Sequence, residues 1–108
     1  MLRKLELYLM PSKLDRMRDL LLKQGVQGMT VVNAQGYGTR SKSKNGVPQF
    51  EDRVKVEIVV SDDLLDPVVK GIKDLAGTGA VGAGMVFISP VEDAIRLSTR
   101  EAGKSALS

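Results

Sequence analysis

Four glycines fall within eight residues, Gly77-Thr-Gly-Ala-Val-Gly-Ala-Gly84, and such density lets bare backbone N–H groups converge on an anion. The spacing is neither GxGxxG at a helix start nor a Walker loop, because no Gly-Lys-Ser/Thr follows and the helical pattern lies before it. A helix C-cap followed by a turn explains the same glycines. Arg96 and Arg100 could clamp a phosphate through paired guanidinium N–H groups, or stand as solvated surface charges. Arg40, Lys42, Lys44 and Arg53, in the polar run from Gly36 to Arg53, offer the same two readings. Asp62, Asp63 and Asp66 could suggest a cation site, but the start of a helix accounts for them better.

Composition removes much of the remaining chemistry. With no Cys and no His there is no disulfide, no thiolate nucleophile or metal site, and no imidazole base or ligand. No nucleophile and base stand out as a pair, so the chain reads as a non-enzyme without a metal site. The net charge of +3 comes from 16 basic and 13 acidic residues spread along the chain. That weakly suits an anionic ligand, whereas nucleic acid would call for a dense basic stripe or Arg interleaved with aromatics. The N-terminal stretch MLRKLELYLMPSK has no apolar run long enough for a signal peptide or a spanning helix, so a cytoplasmic location is expected.

The elements that must position these residues follow from hydropathy period. Leu2 to Leu9 alternates as a strand, and Pro11 ends it. Ser12 then stands as an N-cap for a helix over Lys13 to Gln24, with Leu14, Met17, Leu20, Leu21 and Leu22 on its apolar side and Gly25 closing it. Val26 to Gln35 predicts a largely buried strand, and Val54 to Val60 a half-exposed one. Ser61, Asp62 and Asp63 open a second helix running to about Ala76, with Leu64, Leu65, Val68, Val69, Ile72 and Leu75 facing inward. Its start lies at Asp62 or, if Pro67 marks the first turn, at Asp66. Met85 to Ile88 predicts a last strand, extending toward Ile95 and Leu97, which Pro90 makes an edge or bends. The order β-α-β-β-α-β predicts a single α+β domain, a ferredoxin-like split βαβ sandwich. The long connection from Gly36 to Arg53 exceeds an ordinary hairpin loop and reads as a presented surface.

Taken together, these pieces resemble the PII signalling family in colinear order from residue 1 to about 101. They are Met10-Pro-Ser-Lys-Leu-Asp, Gly25-Val-Gln-Gly-Met-Thr-Val, Gly36-Tyr-Gly, Val54-Lys-Val-Glu-Ile-Val-Val-Ser-Asp-Asp, Thr78-Gly-Ala-Val-Gly-Ala-Gly-Met-Val-Phe and Ile95-Arg-Leu-Ser-Thr-Arg-Glu. The resemblance implies a homotrimeric sensor with adenine nucleotide between neighbouring subunits and a T-loop, here about 37–53, that engages a protein target such as a membrane transporter or an enzyme. It implies nucleotide contacts at Thr30, Gly36, Tyr37, Gly38, Thr39 and Arg40, at Gly79, Val81, Gly82, Ala83, Gly84 and Met85 of the B-loop, and at Arg96, Ser98 and Arg100 of a C-loop supplied by the neighbour. Lys42, Lys44, Gln49 and Phe50 become the partner-binding residues, with Phe50 the aromatic anchor at the loop's tip. Residues 102–108 are expected to form a flexible tail.

The departures carry their own expectation. The family pattern has Arg, Gln, Lys and Arg where this chain has Thr39, Arg40, Met85 and Ser98, and its T-loop is longer and carries a modifiable tyrosine. Fewer cations weaken ATP more than ADP or AMP, because the γ-phosphate brings extra charge. The expected ligand is therefore ADP or AMP, with ATP a second candidate and magnesium left open. With its altered loop, the resemblance implies a link to inorganic carbon (bicarbonate), as in PII-like proteins with altered T-loops, or to nitrogen metabolism, and the usual 2-oxoglutarate response is not expected. The alternative is a structural or metal-tolerance trimer of the CutA type that binds no nucleotide.

Overall fold

In the computed structural model, which describes residues 1–38, 45–76 and 84–108, the N-terminal alternation becomes strand β1 (Leu2–Leu9). Helix α1 (Leu14–Lys23), strand β2 (Thr30–Gly36), strand β3 (Glu51–Ser61), helix α2 (Asp62–Ala76) and strand β4 (Val86–Val91) follow. The sheet runs β2-β3-β1-β4, and every pairing is antiparallel. This is the expected ferredoxin-like α+β arrangement. Register places Leu5 opposite Ile58 and Ile88, and Leu7 opposite Val56 and Val86. Leu5, Leu7, Leu9, Val54, Val56, Ile58 and Val60 thereby share the face that meets Met17 and Leu21 of α1 and Val68 and Ile72 of α2. Fully burying one such side chain contributes about 1.5–3 kcal/mol, so this shared face is the main source of stability.

The other face carries Lys4 and Glu6 of β1 and Lys55 and Glu57 of β3. They form a ring of ion pairs: Lys4 to Glu6 at 3.4 Å and Glu57 at 3.5 Å, Lys55 to Glu57 at 3.1 Å and Glu6 at 3.9 Å. The hydrogen bond between Lys55 and Glu57 raises the lysine's pKa and lowers the carboxylate's. Glu6 and Glu57 stand directly opposite each other, a like-charge pair that the lysines on the diagonals offset.

Several expectations change in three dimensions. Pro11 starts a 3-10 turn, Pro11–Lys13, before α1, and no side chain caps either element, so Ser12 is not the N-cap. Leu22 is 59% exposed, because one step of about 100° past buried Leu21 carries it off the core face. Gly25 does close α1, at φ +91°. The second strand begins at Thr30, not Val26, and is exposed along most of its length. It is an edge strand paired only with β3, so β-branched content signalled extended backbone without signalling cover. α2 begins at Asp62 and takes Pro67 into its second turn, where proline forgoes one N–H bond to the carbonyl of Asp63. β4 stops at Val91, and Pro90 is tolerated because β4 is the other edge. Beyond it Ile95 forms an isolated bridge with Ala102 and Leu97 stands in solvent. The last residues, read from sequence as a tail, form a 3-10 turn over Gly103–Leu107 with Ala106 buried.

Candidate functional site

β2 carries its two candidate groups at opposite ends, Thr30 first and Gly36 last. Six residues of strand separate them by roughly 20 Å. The remaining described candidates are likewise spread over separate parts of one subunit.

At the end where Leu2 pairs with Ser61 and Val91, a cleft of about 560 Å³ opens between the α1–β2 connection, β3 and the C-terminal turn. Gly28, Thr30, Val59, Leu64, Arg96 and Lys104 are among its lining residues. Thr30 and Arg96, implied by resemblance, are thus brought together. Arg96 stands on a tightly closed turn, since its N–H donates to the Glu101 carbonyl at 2.9 Å and its own carbonyl accepts from the Arg100 N–H at 2.7 Å. Arg100 adopts φ +64° to make this turn, a left-handed conformation unusual outside glycine. Ser98 and Arg100 lie on the same turn but do not line the cleft. Among the described residues no ion pair involves the Arg96 guanidinium.

Beside the cleft, the acidic start of α2 is tied to neighbouring segments. Asp62 accepts from Arg3 Nε at 3.1 Å and pairs with the N-terminal amine at 3.5 Å; Arg3, chiefly, holds its carboxyl below the usual range. Asp63 accepts from the buried Ser61 hydroxyl and from Lys104 Nζ at 3.1 Å, and those two donors lower its pKa in that order. These aspartates therefore clamp the first strand and the C-terminal turn as well as favouring the helix start. No group of three or more His, Cys, Asp or Glu among the described residues is placed to hold a metal ion.

Two further groups stand apart, one where β1 meets the entry to β4 and one at the far end of the β2–β3 ribbon. Gly84, at φ +90°, approaches the Tyr8 carbonyl so closely that a Cβ there would sit 1.5 Å from its oxygen. The Met85 carbonyl accepts from the Tyr8 N–H at 3.1 Å, and Tyr8 meets Phe87 edge to face at 6.1 Å. Gly36 pairs with Glu51, so Tyr37 and Phe50 are the next positions across the ribbon, and their rings lie 5.4 Å apart. This corrects the expected place of Phe50: it belongs to the base of the loop, not its tip, because the β2–β3 ladder runs three residues beyond β1 to Glu51. Arg53 is likewise within β3, its guanidinium held by Glu51 and the Asp52 carbonyl, each at 2.8 Å. Gly38 and Gln49 are exposed beside this base. Thr39, Arg40, Lys42, Lys44, Gly79, Val81, Gly82 and Ala83 lie outside the described residues.

Sequence reasoning missed Lys104, Ala106 and Leu107 as parts of the cleft wall. Their segment is short and weakly patterned. The one local signal was Gly103, whose φ of +66° turns the chain back.

Comparison with known proteins places this geometry. Residues 2–101 match the family model described as nitrogen regulatory protein P-II. Curated proteins of that name are similar over 98% of this chain and their whole length, at 36% identity in Bradyrhizobium diazoefficiens, 33% in Azospirillum brasilense and 38% in Nostoc punctiforme. Among solved structures, the GlnK–ATP complex of B. subtilis superposes with a TM-score of 0.85 at 30% identity, covering 98% of this chain and 97% of that one. GlnK from the same organism, reported without mention of a ligand, superposes at 0.81 and 29%, covering 98% of each chain. The CutA-type alternative is set aside by these matches. No helix among the described residues is long and apolar enough to cross a membrane. With the fold, the cleft at one end of its sheet and the whole-chain likeness in agreement, the chain belongs to the nitrogen regulatory protein P-II family.

Proposed function

We propose that this chain is a cytoplasmic adenine-nucleotide sensor that works as a homotrimer, takes its nucleotide between subunits, and regulates a transporter or enzyme through the loop at 37–53. The observation that carries this reading is the splitting of the candidate residues. Thr30 and Arg96 line a cleft at one end of the sheet, Gly36, Tyr37 and Gly38 lie at the far end of β2, and Gly84 and Met85 stand at the entry to β4 on the opposite edge. Groups spread this widely over one subunit favour a ligand held between two copies. Both sheet edges present apolar residues to solvent, Val31 and Val32 on β2 and Val86, Phe87 and Ile88 on β4, as surfaces awaiting a partner do. The likeness to a GlnK–ATP complex supports adenine nucleotide as the ligand. The neutral side chains of Met85 and Ser98, where the family pattern has cations, favour ADP or AMP over ATP.

Titration calorimetry with ATP, ADP and AMP, with and without magnesium, 2-oxoglutarate or bicarbonate, tests the ligand; light scattering on a sizing column tests the trimer. ADP or AMP should bind at least as tightly as ATP, and bicarbonate should alter that binding if the link is to inorganic carbon. Tight ATP binding strengthened by magnesium and 2-oxoglutarate would overturn the preference, and a monomer at working concentration would overturn the shared site. With Phe50 at the loop base against Tyr37, Phe50→Ala should weaken both pull-down of the target and nucleotide affinity, whereas Gln49→Ala should weaken pull-down alone.

A further inference from the structure

The segment from Asp93 to Lys104 doubles back on itself. The Gly103 N–H donates to the Ala94 carbonyl at 3.0 Å and to Asp93 Oδ1 at 3.0 Å, Ile95 bridges to Ala102, and the Arg96 N–H is bonded to Glu101. This small closed ribbon holds Arg96 on one limb and delivers Lys104 at the end of the other, so that both line the same cleft. Two residues further on, buried Ala106 pins the turn to the body of the domain. Lys104 therefore projects from a positioned backbone.

Its ammonium is engaged at 3.1 Å by Asp63, in a pair whose side chains are 70% and 61% exposed. Pairs that open to water contribute little to stability, so a doubly charged phosphate arriving in the cleft can take the lysine over at small cost. Lys4, the other lysine of the cleft, is differently placed, because it is bonded into the sheet-face ring by both Glu6 and Glu57.

We propose that Lys104 is a phosphate-binding residue of the nucleotide cleft, held in waiting by Asp63 and transferred from that carboxylate to the ligand's phosphate on binding. This rests on the adenine-nucleotide reading and adds to it a residue that makes up for the neutral Met85 and Ser98. When the lysine leaves Asp63, the C-terminal turn keeps its anchors at buried Ala106 and the Gly103 N–H, and Asp63 stays bonded by Ser61 at the start of α2.

The test is calorimetry on the full chain with ADP and, in parallel, adenosine. Lys104→Ala should weaken ADP by about tenfold, the scale of one charge-assisted contact, and leave adenosine within about twofold. Lys104→Arg should keep ADP near the wild-type affinity. Asp63→Asn, which releases the lysine, should tighten ADP a few-fold. Equal weakening of ADP and adenosine by Lys104→Ala, unchanged ADP affinity, or weaker ADP binding in Asp63→Asn would each overturn the proposal while leaving the nucleotide reading in place. A wild-type chain that binds no ADP would overturn both.

Discussion

Replacing Gly84 by alanine sets a methyl group against a backbone carbonyl that cannot retreat. The added Cβ would lie 1.5 Å from the Tyr8 oxygen and 2.8 Å from its carbon, at a residue whose φ is +90°. Tyr8 belongs to β1, which is flanked by β3, with Lys55 in register, and bonded on its other side through the Tyr8 N–H to the Met85 carbonyl. Relief must come from moving the entry to β4 and giving up the bond at 3.1 Å between the Tyr8 N–H and Met85. A left-handed alanine costs about 1–2 kcal/mol, and one lost backbone hydrogen bond adds about 1 kcal/mol. The sum, about 2–3 kcal/mol, is a large share of an ordinary domain's stability. At roughly 4 °C per kcal/mol for a domain near this size, the melting temperature should fall by about 8–12 °C. Thermal melts at one protein concentration, so that any oligomer linkage is held constant, should be compared with Gly28→Ala. That position has open space around it and no left-handed φ, so its change should stay within about 0.5 kcal/mol. A Gly84→Ala melt equal to that of Gly28→Ala would refute the close approach.

Stability should fall on acidification, since Asp62, Asp63 and Glu57 all have lowered folded pKa values. Their contribution is complete above the ordinary carboxylate range and is lost as pH drops through the folded values below it. Melting temperature against pH should therefore decline at acid pH, and Asp62→Asn with Asp63→Asn should flatten that limb; an unchanged limb would show that these pairs are not the source. Lys55, with its raised value, acts in the opposite sense, supporting the fold up to alkaline pH and losing that support as pH rises through its folded value. Lys13 Nζ is buried without a hydrogen-bond partner among the described residues. Lys13→Met keeps the side chain's length and removes an unsatisfied donor group, so it should stabilise by about 1 kcal/mol in urea denaturation, and a loss of similar size would show that the ammonium is satisfied.

What the sequence determined by itself is the part governed by local period and by unique residue chemistry. The alternating Leu5, Leu7 and Leu9 of β1 and the apolar stripe of α2 specify which face is buried, whatever lies opposite, because side-chain direction follows from backbone geometry. Gly25 and Gly84 were legible as special for a related reason, since dense or terminal glycines mark places where a Cβ would be strained or obstructed. The absence of Cys and His removed whole reaction classes with no need of coordinates.

Tertiary structure decided what depends on neighbours distant in the chain. Whether β2 is covered is a matter of its place in the sheet, and composition alone read its valines as buried when they lie on an edge. Where the presented loop ends depends on how far β2 and β3 continue pairing beyond β1, and that register moved Phe50 from tip to base, against Tyr37. Lys104 reached the cleft through a ribbon closed by Gly103 and a turn anchored by Ala106, contacts too few and too irregular to leave a periodic signal. The spread of the candidate residues over separate parts of one sheet could only be seen once strand order was known, since strand pairing sets those distances and chain order does not.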